Sequence, residues 1–160
     1  INKTKVTHII DKESEIPSHK EEFKKNLDRM KEAEKLKKIE YQLAYSNFTF
    51  ELWIILHRSD CFNSLNDRKE DLSHINKVYN KNFQSLKDYK KEENLKKILD
   101  ELNIDDVINA VKRAKSITEK NSQEKKEKKE EYRGYIFYNE NPSLSIHEII
   151  EKILKDCKLI

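Results

Sequence analysis

Glycine is almost missing from this chain: Gly134 is the only one in 160 residues. Walker-type phosphate loops and dinucleotide fingerprints need several glycines at fixed spacing, so both are excluded. Cysteine is scarce too. Cys61 and Cys157 stand far apart without a framework pattern, which points to reduced thiols in a cytoplasmic protein rather than a disulfide scaffold. No apolar run approaches the ~18 residues of a membrane span. The short apolar patch near the N-terminus has charges on both sides, unlike a secretory leader. No nucleophile elbow or triad-like pattern supports covalent hydrolase chemistry. Methionine does not stand first; the chain begins at Ile1, so further residues are expected before it.

What the chain has in plenty is charge. Asp, Glu, Lys and Arg make up 39% of it, yet the formal net charge is only +3. Such balance calls for many solvated helix faces and does not by itself require a nucleic-acid partner; a basic surface has to come from local clustering. The length fits a single domain, 1–160, with a modest core.

That core is expected around Tyr45–His57, the most apolar stretch and the one holding the only tryptophan, Trp53. Read as a helix it is apolar all round, with Phe50, Trp53, Ile54 and His57 on one face and Leu52, Ile55 and Leu56 on another. A helix without a polar face is buried. Glu51, the one carboxylate inside it, must then escape at the first turn or find a partner.

In chain order, Lys5–Ile10 reads as a short β-branched strand ending on Asp11-Lys12-Glu13. Ser18 to about Lys38 reads as a long helix, with Phe23, Leu27, Met30, Ala33 and Leu36 as its apolar stripe and Pro17 at its entry. Ile39–Ser46 alternates as a second strand and runs into the tryptophan segment through Ser46-Asn47, a plausible cap pair. Strand, long helix and strand together predict a parallel crossover. Downstream the chain reads as mostly helical. Arg58–Asn66 is a loop, Asp67–Tyr79 a helix, 80–89 irregular, and Glu92–Leu102 and Asp105–Lys120 two further helices. The charged run 121–131 is a helix extension or loop, and Gly134–Tyr138 is extended. The turn around Pro142 leads into a final helix, Ser145–Lys158, with Ile146, Ile149, Ile150, Ile153 and Leu154 inward.

Four groups could carry chemistry. Asp11 and Glu13, just past a strand end, suit the oxygen coordination of Mg²⁺ or Mn²⁺. Taken alone, the simpler reading is that Asp11 or Ser14 helps to start a helix. Glu51, with Ser46 and Asn47, reaches the same sheet edge if the two strands are parallel neighbours. His57 and Cys61 have a spacing that can seat a soft metal, although a histidine packed beside Trp53 is the simpler reading. Asn141, Pro142 and Ser143, followed by His147, form a turn with Ser143 or Ser145 as helix cap, or bring His147 towards the carboxylates. Lys112, Arg113 and Lys115 lie on the outward face of their helix.

Two motifs carry a resemblance. Ser46-Asn47-Phe48-x-Phe50-Glu51-Leu52-Trp53-x-x-x-His57 resembles the Ser-Asn-Pro-x-Phe-Glu-x-Trp-x-x-x-His signature of RloB-like proteins. Asn141-Pro142-Ser143-x-x-x-His147 resembles their Asn-Pro-Ser-Thr-x-x-His motif, and Ala110–Lys115 is similar to the helix between the two. Asp11-Lys12-Glu13 stands where that family has Asp-x-Asp. Glu13, Phe48 and Leu144 depart from the usual aspartate, proline and threonine. The resemblance implies a Toprim-like α/β fold: a partial parallel sheet, strands near 5–10 and 39–46, and a mostly helical C-terminal part. It also implies a role in antiphage defence. Toprim sites hold Mg²⁺ between a glutamate after an early strand and a later acidic pair, and cut or rejoin phosphodiester bonds; that early strand is not in these 160 residues. The expected function is a metal-dependent nuclease acting on DNA or RNA. Asp11 and Glu13 would be metal ligands, Glu51 and His147 would orient ligands or transfer protons, and Lys112, Arg113 and Lys115 would meet phosphates. The other reading is a non-catalytic module that binds another defence protein, or a nucleotide sensor.

Overall fold

A computed structural model describes residues 3–36, 38–63 and 68–160. The expected α/β start is present. Strand β1 (Thr4–Asp11), helix α1 (Pro17–Leu36) and strand β2 (Ile39–Asn47) follow in order, and β1 pairs parallel to β2 from Thr4↔Ile39 to Asp11↔Ser46. Pro17 occupies the first position of α1, where its missing N–H costs nothing. On the far side of β2 a two-residue strand, Ser143–Leu144, pairs antiparallel with Ser46 and Asn47. The sheet is therefore small and mixed.

Alternation along β2 divides the interior. Tyr41, Leu43 and Tyr45 face α1, where Phe23, Leu27 and Met30 meet Tyr135 and Phe137. Ala44 faces the other way, into the larger core of the tryptophan segment and the C-terminal helices. Helix α2 (Glu51–Leu56) is buried at every position, as its composition requires. It is shorter than the sequence reading, because β2 runs on through Asn47. Ser46 and Asn47 are accordingly strand residues, not helix caps, and Phe50, expected inside, is 41% exposed. Helices α3 (Arg68–Val78) and α6 (Ile104–Glu124) pack on α2, and α4 (Leu86–Tyr89) and α5 (Glu92–Leu99) add Tyr89 and Ile98 to the same core. Tyr79 of the turn after α3 donates its hydroxyl to the Ile54 carbonyl at 2.8 Å. The predicted loop 58–66 lies partly, and Asp67 at the start of the predicted helix wholly, outside the described residues.

Differences from the sequence reading have identifiable causes. The charged run 121–131 is neither all loop nor all helix. It extends α6 to Glu124, passes through a short 3₁₀ turn at Lys126–Lys128 and becomes β3 (Lys129–Tyr132). β3 pairs antiparallel with β4 (Tyr135–Tyr138), with Lys129 opposite Tyr138 and Tyr132 opposite Tyr135. Arg133 and Gly134 join them at φ 56° and 81°, the two positive angles of a tight hairpin turn. The Tyr132 hydroxyl and the Arg133 guanidinium both donate to Asp28 of α1, fastening the hairpin to that helix. The segment read as irregular contains α4, whose Ser85 accepts the Asp88 N–H at 3.0 Å. Leu36 and Ile153, assigned inward, are 84% and 49% exposed because no layer covers those positions. The closing helix, α7 (Ile146–Asp156), buries Ile146, His147 and Leu154.

A Cβ built on Gly134 meets nothing within 4 Å, so the demand there is conformational alone. Gly134→Ala is expected to lower stability in urea unfolding by about 1 kcal/mol, and Gly134→Asn by less, because asparagine tolerates this region better.

Candidate functional site

The rim at the C-terminal ends of β1 and β2 is held by main-chain bonds. The Lys12 N–H donates to the Ser46 carbonyl at 2.9 Å, and the Glu13 N–H to the Phe48 carbonyl at 2.8 Å. Glu13 has a left-handed backbone, φ 64°, so the strand stops there. Asp11 and Glu13 both border a cavity of about 390 Å³ with His19, Glu22 and Asn26. Lys12 borders the same cavity. It is buried, bonds Glu15 at 2.5 Å, and lies about 6 Å from the rings of Phe23 and Phe137. Burial pushes its pKa down.

Glu51 comes to the same rim. The main-chain N–H of Phe50 bonds the Asp11 carboxylate, so Asp11 closes the start of α2, whose preceding residue supplies no side-chain cap. Desolvation first, then the charges of Glu51 and Glu13, push Asp11 up to about 6. A carboxylate so crowded by like charge favours a cation beside it. Lys90, at the end of α4, supplies one: its Nζ is 3.1 Å from Glu51 Oε1. Sequence reasoning missed Lys90, since nothing local marks it; it follows the buried Tyr89 that anchors α4. His19 was missed as well. Its Nδ1 is 2.8 Å from Ser14 Oγ and 3.7 Å from Glu13 Oε2. Only its place one turn into a helix behind the acidic pair could have flagged it. Among the described residues no three His, Cys, Asp or Glu side chains converge as a ready metal cage.

The two distant motifs meet at the next position along the rim. Asn47 Nδ2 donates to Ser143 Oγ at 3.4 Å and to the carbonyls of Tyr138 and Asn139 at 3.4 and 3.3 Å. Its Oδ1 is buried without a hydrogen-bond partner. Ser46 Oγ donates to the Thr49 carbonyl at 2.6 Å, shaping the turn between β2 and α2. Ser145, read as a possible helix cap, instead accepts the Tyr45 N–H on Oγ at 3.1 Å. The bonds before Phe48 and Pro142 are both cis.

The remaining assignments separate. His147 does not turn towards the carboxylates; the charges that act on it are Lys115 and Glu151, on the α6–α7 side. It is buried, its Nδ1 has no partner, and desolvation with the nearby Lys115 pushes it down to about 4. His57 packs edge-on to Trp53, with ring centroids 4.9 Å apart and Nδ1 2.8 Å from the Trp53 carbonyl. That is the simpler of its two readings, and burial lowers its pKa. Cys61 is buried and pushed up to about 11.

The lysine and arginine trio does not form one open face. Lys112 is exposed, but Lys115 pairs with Glu151 at 2.7 Å. Arg113 turns inward and donates to the carbonyls of Leu56 and His57 at 2.8 and 3.1 Å. It closes the C-terminal end of α2, where carbonyls are left over and a cation is favoured.

A family model, described as RloB-like protein, matches residues 2–153. The chain belongs to the RloB-like protein family. The match takes in the acidic rim, both motifs and the helix between them in this family member. No curated protein and no solved structure matches the chain.

Two outcomes follow from the buried groups. Removing the Arg113 fork, as in Arg113→Met, is expected to cost about 1–3 kcal/mol in chemical denaturation, because the α2 carbonyls lose a charged donor. His147 is neutral when folded and protonates near pH 6.5 when unfolded. Its contribution is therefore present above pH 6.5 and is lost as pH falls towards 4, by roughly 3 kcal/mol. Unfolding free energies measured across this range should fall more steeply for the parent than for His147→Gln; parallel curves would contradict the assignment.

Proposed function

We propose that this RloB-like protein is a metal-dependent nuclease of Toprim type, acting in the cytoplasm on foreign DNA or RNA in antiphage defence. One observation carries the reading: Asp11 and Glu51, forty positions apart in sequence, share a rim where the charge of Glu51 opposes that of Asp11. Nothing in the hydrophobic core requires that arrangement. Oxygen donors of this kind suit Mg²⁺ or Mn²⁺, which needs only one or two carboxylates and takes its other ligands from water and substrate phosphate. Asp11 and Glu13 would hold the ion and Glu51 would orient it. When bound, it would polarise a phosphoryl oxygen and make hydroxide available near neutral pH. His147 has no part in this reading, since the charges acting on it lie at α6 and α7. Of the basic trio, Lys112 remains the phosphate contact.

A second reading has its own support. The Phe50 N–H bond to Asp11 is a helix closure, and Lys90 already neutralises Glu51. Both are what a non-catalytic module that binds another defence protein would need.

A cleavage assay separates the two. With Mg²⁺ or Mn²⁺ and DNA or RNA substrates, Asp11→Asn is expected to lose about 100-fold or more in rate, since metal activation supplies several kcal/mol to the transition state. Equal rates in parent and variant would favour the module.

A further inference from the structure

Lys90 sits where the sequence places no function. It follows Tyr89, which is 2% exposed and fixed in the core, and it ends α4, its N–H bonded to the carbonyl of Leu86. The backbone at this point is therefore held, and the side chain is half open to solvent while its ammonium lies 3.1 Å from Glu51. Glu51 itself is almost fully buried, so this contact is no ordinary surface pair. The same ammonium is felt at Asp11, where it opposes the charges of Glu51 and Glu13. A monovalent cation thus already stands against the carboxylates that an added cation would need.

We propose that Lys90 is the resident counter-ion of the Asp11–Glu51 rim, and that a divalent cation loads by exchanging with it. The inference rests on the metal reading of that rim. In the metal-free protein the ammonium offsets the charge of buried Glu51 and acts on the exposed Asp11 beside it. On loading, one positive charge leaves the rim as two arrive, and the freed Lys90 stays at its edge, where an anionic phosphodiester would lie. Lys90 is then a gate on metal occupancy and a positioning group for Glu51. A long flexible stem with an exposed base suits that exchange, since little packing is lost when the head moves.

The test is a Mn²⁺ titration followed by the electron paramagnetic resonance of the free ion, which needs no turnover. Lys90→Met removes the competing charge and is expected to bind Mn²⁺ about tenfold more tightly than the parent, from the repulsion of like charges a few ångströms apart discounted for solvent. Lys90→Arg keeps the charge and should stay within about a factor of two or three. Adding Asp11→Asn to Lys90→Met should abolish the gain. Thermal melts of each variant establish that the fold is kept, and the exposed head of Lys90 makes that the expected result. If Asp11→Asn loses Mn²⁺ but Lys90→Met binds no better than the parent, the gate is wrong and the metal rim stands. If neither the parent nor Lys90→Met binds Mn²⁺, both are wrong.

Discussion

The end of β2 is bonded on both sides, and the rest of the structure depends on it. Towards β1 it accepts from Lys12 and Glu13 through Ser46 and Phe48. Towards the C-terminal segment it pairs with Ser143 and Leu144, and Ser145 adds a main-chain bond to Tyr45 at 2.9 Å. A buried strand end must satisfy each N–H and C=O, and here that demand is met by segments about 100 residues apart. Its consequence is a single row, Asp11, Ser46 and Leu144, across the sheet. The acidic pair, the tryptophan helix and the Asn-Pro-Ser turn become neighbours because of this row.

Around it the polar groups of the core are used as fasteners. Arg113 closes α2 at one end and Asp11 at the other, so a six-residue helix that could not stand alone is held by charges from different elements. Asn121, buried in α6, donates to the Pro142 carbonyl at 2.9 Å and ties that helix to the turn. The cost of burying such groups is offset only when they find partners. Asn47 Oδ1 and His147 Nδ1 are the exceptions among the described side chains, and both belong to the motifs that mark the family.

Much of this was legible in the residues. The parallel pair came from β-branched alternation on either side of a long helical period, and the burial of α2 from its lack of any polar face. The proximity of Asp11 and Glu51 followed from parallel pairing alone. The hairpin was not legible, because β3 is Lys-Glu-Glu-Tyr and shows only one apolar residue; the Arg133-Gly134 pair was its available signal. Arg113 misled for a related reason. Helical spacing put it on an outward face, whereas its long stem bends back to the end of α2.

Sequence by itself determined the opening strand–helix–strand unit and most of the helices after it, which of them are apolar enough to form the interior, and which family the motifs point to. These properties are set by neighbours within a few residues, through backbone preference and periodicity. Only the tertiary structure decided that Lys90 opposes Glu51, that His147 lies with Lys115 and Glu151 rather than with the acids, and that Arg113 serves α2. Long charged side chains choose partners across many ångströms, according to where desolvated charge and unpaired carbonyls are left, and those places exist only once the chain has closed on itself.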